Sequence, residues 1–257
     1  MMGELVRRGL VIALMLAGMP AKADTGSSAV ALPEIRASRD AFRQLLDKTD
    51  PEHDLPEASD PAVAAILAAI WNPDLLQVPN PIKAEDLQNL DGICLNGMIA
   101  WKLYLFDRLD GLDNLEAKVL KRMVRYQAEF GSGVAFSIRC AAAFINAYET
   151  ASPEATVDQR GAYEVWVDRE KGWIVSSFAI VCAGNLAADN SRHLSNALHA
   201  VFPELLAAGR RTLDRPAFLT SVQDAMAEAA VVAGTRDLND CSDLKALLAT
   251  GANSDAH

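Results

Sequence analysis

Residues 112–130 read LDNLEAKVLKRMVRYQAEF. Leu112, Leu115, Val119, Met123, Tyr126 and Phe130 recur there at three- and four-residue spacing, which gathers them on one face of an α-helix that must pack against something. The other face is charged. Lys118, Lys121, Arg122 and Arg125 follow i, i+3, i+4, i+7 and form a basic stripe along the same helix. Working outward, the three- to four-residue period continues almost everywhere, and no sustained alternation marks a strand. Helices are expected over roughly 34–48, 60–71, 84–107, 112–130, 134–150, 153–188, 190–208, 214–233 and 241–249. The expected fold class is all-α.

Two segments, 134–148 and 173–188, are apolar nearly all round. Helices of that kind belong in the middle of a bundle, surrounded by amphipathic ones. The expectation is therefore a single multi-helix bundle over 34–257 with two central apolar helices. No period of 20–50 residues marks a solenoid. Residues 244–253, LKALLATGAN, resemble the closing turn of an ankyrin repeat. A lone half-repeat cannot bury its face, so this fragment reads as a helix stopped at Gly251. Gly111, Gly131, Gly133, Gly209 and Gly234 stand where helices should end, and the long stretch 153–188 is expected to break near Lys171 and Gly172. Pro61 and Pro153 suit first helical turns, and 72–81, with three prolines, reads as a loop.

The amino terminus carries an address. Arg7 and Arg8 precede a short apolar run from Leu10 to Ala17, Pro20 breaks it, and Ala21-Lys22-Ala23 presents small residues around a cleavage point. About ten apolar residues cannot span roughly 30 Å of hydrocarbon, so residues 1–23 read as a cleavable signal peptide rather than an anchor. Residues 24–33 read as a flexible lead-in. The paired arginines partly match a twin-arginine signal, leaving the export route open. The longest later apolar stretch, 173–188, carries Ser176, Ser177 and Asn185 and is expected to be a buried helix, so no integral membrane segment is anticipated. No asparagine stands in an N-x-Ser/Thr sequon, which fits a bacterial periplasmic or secreted protein.

Thirty-four acidic residues against 24 basic ones give a formal charge of −10, which argues against general nucleic-acid binding. An apolar share of 51% excludes an intrinsically disordered chain. Cys94, Cys140, Cys182 and Cys241 are too scattered for a structural zinc site, and no cofactor or metal is expected. Their even number in an exported chain points to two disulfides. If the helices carrying Cys94 and Cys140 run parallel, those residues sit at similar heights, which favours Cys94–Cys140 with Cys182–Cys241. Antiparallel neighbours would serve Cys140–Cys182 nearly as well. Buried free thiols, acting as small apolar groups, are the remaining alternative.

Several residues have chemistry worth placing. Cys94 lies early in its helix, where the dipole favours a thiolate, but a nucleophile needs a histidine base, and only His53, His193, His199 and His257 exist. His193 and His199 lie about 240° apart around a helix and cannot share a metal ion. Glu164, Asp168 and Arg169 near Trp166 and Trp173 suit either a carbohydrate site or the wet edge of a helix. Arg139, inside the apolar run VAFSIRCA, must reach water or a carboxylate, or else contact a ligand. Gly131-Ser132-Gly133 just before it suits either an anion at a helix N-terminus or a plain turn.

No catalytic residue is assigned. The leading expectation is an exported bacterial protein that binds a protein or an anionic envelope component through Lys118, Lys121, Arg122 and Arg125. The alternatives are an envelope hydrolase using Cys94 or a Glu/Asp pair, and a small-molecule or lipid carrier with a pocket around Trp101, Phe136, Phe144 and Trp173. A filled core and an exposed stripe favour the first, a cleft joining Cys94 to His193 or His199 the second, and an apolar cavity the third.

Overall fold

The computed structural model describes residues 31–49, 55–78, 82–106, 115–151, 157–206, 213–233 and 239–253. The signal peptide expected at 1–23 lies outside them, as do most of the lead-in, His53, His257, Gly111, Gly209, Gly234 and the helix start at Pro153. The helices are α1 (Ala31–Asp47), α2 (Pro61–Ile70), α3 (Ala84–Phe106), α4 (Leu115–Arg125), α5 (Gln127–Ala151), α6 (Val157–Cys182), α7 (Ala188–Leu205), α8 (Arg215–Ala233) and α9 (Asn239–Asn253), with a 3₁₀ turn at Pro73–Leu76. Among the described residues there is no strand, so the chain is all-α.

Local chemistry explains the starts. Asp60 caps α2, its carboxylate accepting the Ala62 N–H at 2.8 Å, with Pro61 in the first turn. Ala187, at the start of α7, has no capping side chain. Its own N–H donates instead to Gln127 Oε1 from α5, at 2.9 Å. Lead-in residues 31–33 are already helical in α1.

The helix ends differ from expectation at the glycines. Gly131 and Gly133 lie inside α5, and the interruption falls earlier, at the single turn residue Tyr126. Backbone bonding carries across it, from Tyr126 N to Arg122 O and from Phe130 N to Tyr126 O, each at 2.8 Å. Gly172 likewise leaves α6 unbroken, and a methyl group there would meet nothing within 4 Å. That helix stops at Cys182 rather than near 188, because Gly184 takes a left-handed conformation, φ 63°, that turns the chain away. Gly251 does not stop α9, which continues to Asn253.

With those glycines absorbed, Gln127–Thr150 becomes long and apolar enough to cross a membrane by length and composition, contrary to the expectation from 173–188. Its most apolar window is 78% buried, as in a core helix. The helix packs chiefly on α7, α3 and α6. One cluster of buried apolar side chains extends from Leu32 to Leu248 and includes Phe42, Trp101, Phe136, Ile145, Phe178 and Phe202.

The α3–α5 pair positions the site described next. Cys94 is bonded to Cys140, with Cα atoms 5.6 Å apart. Phe136 lies over Gly97, and Trp101 over Gly133. Rising numbers on α3 meet falling numbers on α5, so the helices are antiparallel. The favoured pairing of cysteines occurs, but not for the reason of parallel helices. The second disulfide, Cys182–Cys241, has a Cα separation of 4.9 Å and ties the end of α6 to α9.

Candidate functional site

Three helices meet at a small, partly open cleft. From α3 come Cys94, Leu95 and Met98, from α5 Ser137 and Cys140, and from α6 Arg169, Glu170 and Trp173. Each set recurs at three- or four-residue spacing and therefore shares a helix face. The cleft volume is about 20 Å³, room for a water-sized group, against roughly 300–1,000 Å³ for ordinary ligand pockets.

Its walls are already committed. The Ser137 hydroxyl donates to Gly133 O at 3.0 Å and accepts from Trp101 Nε1 at 3.1 Å. The Trp101 ring stacks on Trp173 with centroids 5.5 Å apart and meets Phe130 edge-on at 5.8 Å. Phe136 and Phe144 are each only 1% exposed. The space a carrier would need around Trp101, Phe136, Phe144 and Trp173 is occupied by these rings.

The charged wall is a shared ion pair. Arg169 Nη2 lies 3.1 Å from Asp91 Oδ1 and 2.5 Å from Glu170 Oε1, which also accepts from Nε at 2.8 Å. All three side chains are less than one-fifth exposed. Burial raises the carboxyl pKa of Asp91 and of Glu170, and the Arg169 charge opposes that rise. Burial also disfavours the guanidinium's charge, but Glu170 and Asp91 outweigh it and raise the Arg169 pKa. Lys102 on α3 is pushed down to about 8, first by burial and then by the positive charge of Arg169. Two carboxylates share one guanidinium, so their hydrogen bonds are directed at Arg169 rather than at a substrate.

Sequence reasoning placed Arg169 with Glu164 and Asp168 on one possible wet edge. Glu164 and Asp168 are indeed exposed, and Asp168 pairs with Lys171 at 2.9 Å. Arg169 instead turns inward. The Asp91–Arg169–Glu170 cluster was missed, although Glu170 follows Tyr163 and Val167 on the buried stripe of α6. That spacing was the available signal.

Cys94 is held in its disulfide and presents no thiolate. His193 and His199 are exposed on α7 and do not line the cleft. Arg139 is half-buried beside His193, whose pKa is lowered by partial desolvation of its ring and then by this guanidinium. Among the described residues, no three His, Cys, Asp or Glu side chains are grouped to hold a metal ion.

The basic stripe lies on α4. Lys121 and Arg125 are exposed, Lys118 and Arg122 half-buried, and Val124 between them is 51% exposed. The Arg125 guanidinium lies 3.8 Å from Glu57 and 5.4 Å from the Tyr126 ring centroid. Glu57 is held there by its neighbours in sequence. Leu55 N–H donates to Tyr126 Oη at 2.9 Å, Ala58 N–H to Glu129 Oε1 at 2.6 Å, and Tyr104 Oη–H to Pro56 O at 2.9 Å. None of the four stripe residues lines the cleft.

No protein-family model matches the chain, and no curated protein or solved structure is detectably similar to it.

Proposed function

We propose that this chain is an exported bacterial helical bundle, built around two central apolar helices, that acts by binding rather than by catalysis. In this reading the α4 stripe docks an acidic face of a protein partner in the envelope or outside the cell. The observation that carries it is the contrast between a core filled by Trp101, Phe136, Phe144 and Trp173 and a surface on which Lys121, Val124 and Arg125 stand exposed together. A mixed basic and apolar strip on an otherwise acidic molecule gives a partner both a charge to seek and an apolar contact to bury. The two disulfides support export, because such bonds persist in oxidising compartments.

Affinity capture from an envelope extract tests the reading, with Lys118, Lys121, Arg122 and Arg125 each changed to Glu. The expected result is loss of one identified acidic partner, with the parent capture weakening as salt rises and the variant keeping its helical circular dichroism. Equal recovery of the same partners by the charge-reversed chain overturns it. Capture of an anionic polymer in place of a protein would move the reading to the envelope component itself.

A further inference from the structure

The two disulfides occupy different environments. Cys94 and Cys140 line the partly open cleft, where Cys94 is 8% and Cys140 2% exposed, so the bond is reached from the Cys94 side. Cys182 is 0% and Cys241 2% exposed, sealed between α6 and α9. We propose that Cys94–Cys140 is a thiol–disulfide exchange site for small dithiols, whereas Cys182–Cys241 is a permanent staple.

The cleft selects the reagent. Its volume of about 20 Å³ admits a group the size of one thiol and excludes a folded protein's active site unless the helices part. In the exchange, one thiolate of the dithiol attacks Sγ of Cys94, the better exposed half. The sulfur–sulfur bond breaks, and its electron pair leaves on Cys140, which takes a proton from water. The second thiolate of the reagent then displaces Cys94 from the mixed disulfide. The products are a cyclic oxidised dithiol and two protein thiols, so two electrons pass from reagent to protein.

The fold does not depend on this bond alone. Below it, Phe136 still occupies the gap at Gly97 and Trp101 the gap at Gly133, so α3 and α5 remain interlocked after reduction. Opening Cys182–Cys241 requires α9 to leave α6, a sub-global opening with a far smaller population. The inference stands apart from partner binding, because the cleft contains none of the α4 stripe residues.

The experiment treats the oxidised, folded full chain with increasing dithiothreitol, quenches with iodoacetamide, and identifies alkylated cysteines by peptide mass spectrometry. Cys94 and Cys140 are expected to be labelled at least about tenfold faster than Cys182 and Cys241, with the helical signal retained. Equal rates, earlier labelling of Cys182 and Cys241, or simultaneous labelling with loss of helix overturn the proposal. A Cys94→Ser/Cys140→Ser variant guards against a trivial order of events. Its remaining disulfide should stay as slow as in the parent, and acceleration to the parent Cys94–Cys140 rate overturns the proposal as well.

Discussion

The Trp101 side chain lies against the backbone of Gly133 so closely that a methyl group on Gly133 would overlap the tryptophan's own Cβ. Four residues earlier on α3 and three later on α5, Phe136 fills the space left by Gly97, and farther along in the same directions the disulfide joins Cys94 to Cys140. Each helix thus supplies one aromatic knob and one glycine hole. The Trp101 N–H then reaches Ser137, one turn beyond Gly133, at 3.1 Å. Close approach, rather than helix termination, explains why glycine stands at 97 and 133.

Alanine substitutions separate these roles. Gly133→Ala is expected to destabilise the chain by about 1–3 kcal/mol, because the obstructing atom is next to the Trp101 backbone and cannot swing aside. Gly172→Ala has open space and should stabilise by about 0.5–1 kcal/mol through helix propensity alone. Urea denaturation of the two variants checks the opposite signs. A stabilised Gly133→Ala protein would refute the close α3–α5 contact.

Removing the shared cation should be severe. Arg169→Met leaves Asp91 and Glu170 buried without their partner, at an expected cost of about 3–5 kcal/mol at neutral pH. Both carboxyl pKa values are already raised by burial, and loss of Arg169 raises them further. The folded variant therefore takes up protons that the unfolded chain does not hold, and its deficit shrinks as pH falls from 7 toward 5. Thermal melts of parent and variant across that range give the measurement. A deficit independent of pH would show that the two carboxylates are not its source.

Lys102 gives the opposite pH slope. Its folded pKa is about 8 against an ordinary value of 10.5, so between these values the folded chain holds fewer protons than the unfolded one. Stability attributable to this residue therefore rises as pH climbs through that window, and the penalty is fully present below pH 8. Lys102→Met should raise the denaturation midpoint at pH 7 and flatten the rise above pH 8. A parent and a variant with parallel pH curves would remove Lys102 from the balance.

Much of the fold was legible because helical signals are local. Asp60 before Pro61 announced the start of α2, and the apolar spacing through Val119, Met123, Tyr126 and Phe130 marked a buried face across α4 and into α5. The structure departs from the usual glycine stop signal at Gly131, Gly133, Gly172 and Gly251, all of which lie inside helices. A glycine's own sequence neighbourhood does not reveal whether a distant tryptophan rests on it. The candidate site was less legible for the same reason. Arg169 and Asp91 are 78 residues apart, and nothing on α6 alone says that the arginine turns inward.

By itself, the sequence determined that the chain would fold as helices, where most of them begin, and which stripes must leave water. Those properties follow from the 3.6-residue period and from capping groups a few residues away. Only the tertiary structure decided that α3 and α5 run antiparallel, that Cys94 faces Cys140, and that Arg169 serves two buried carboxylates. Each depends on which atoms of separate helices share the same few ångströms, a matter settled by steric fit and desolvation across the whole core.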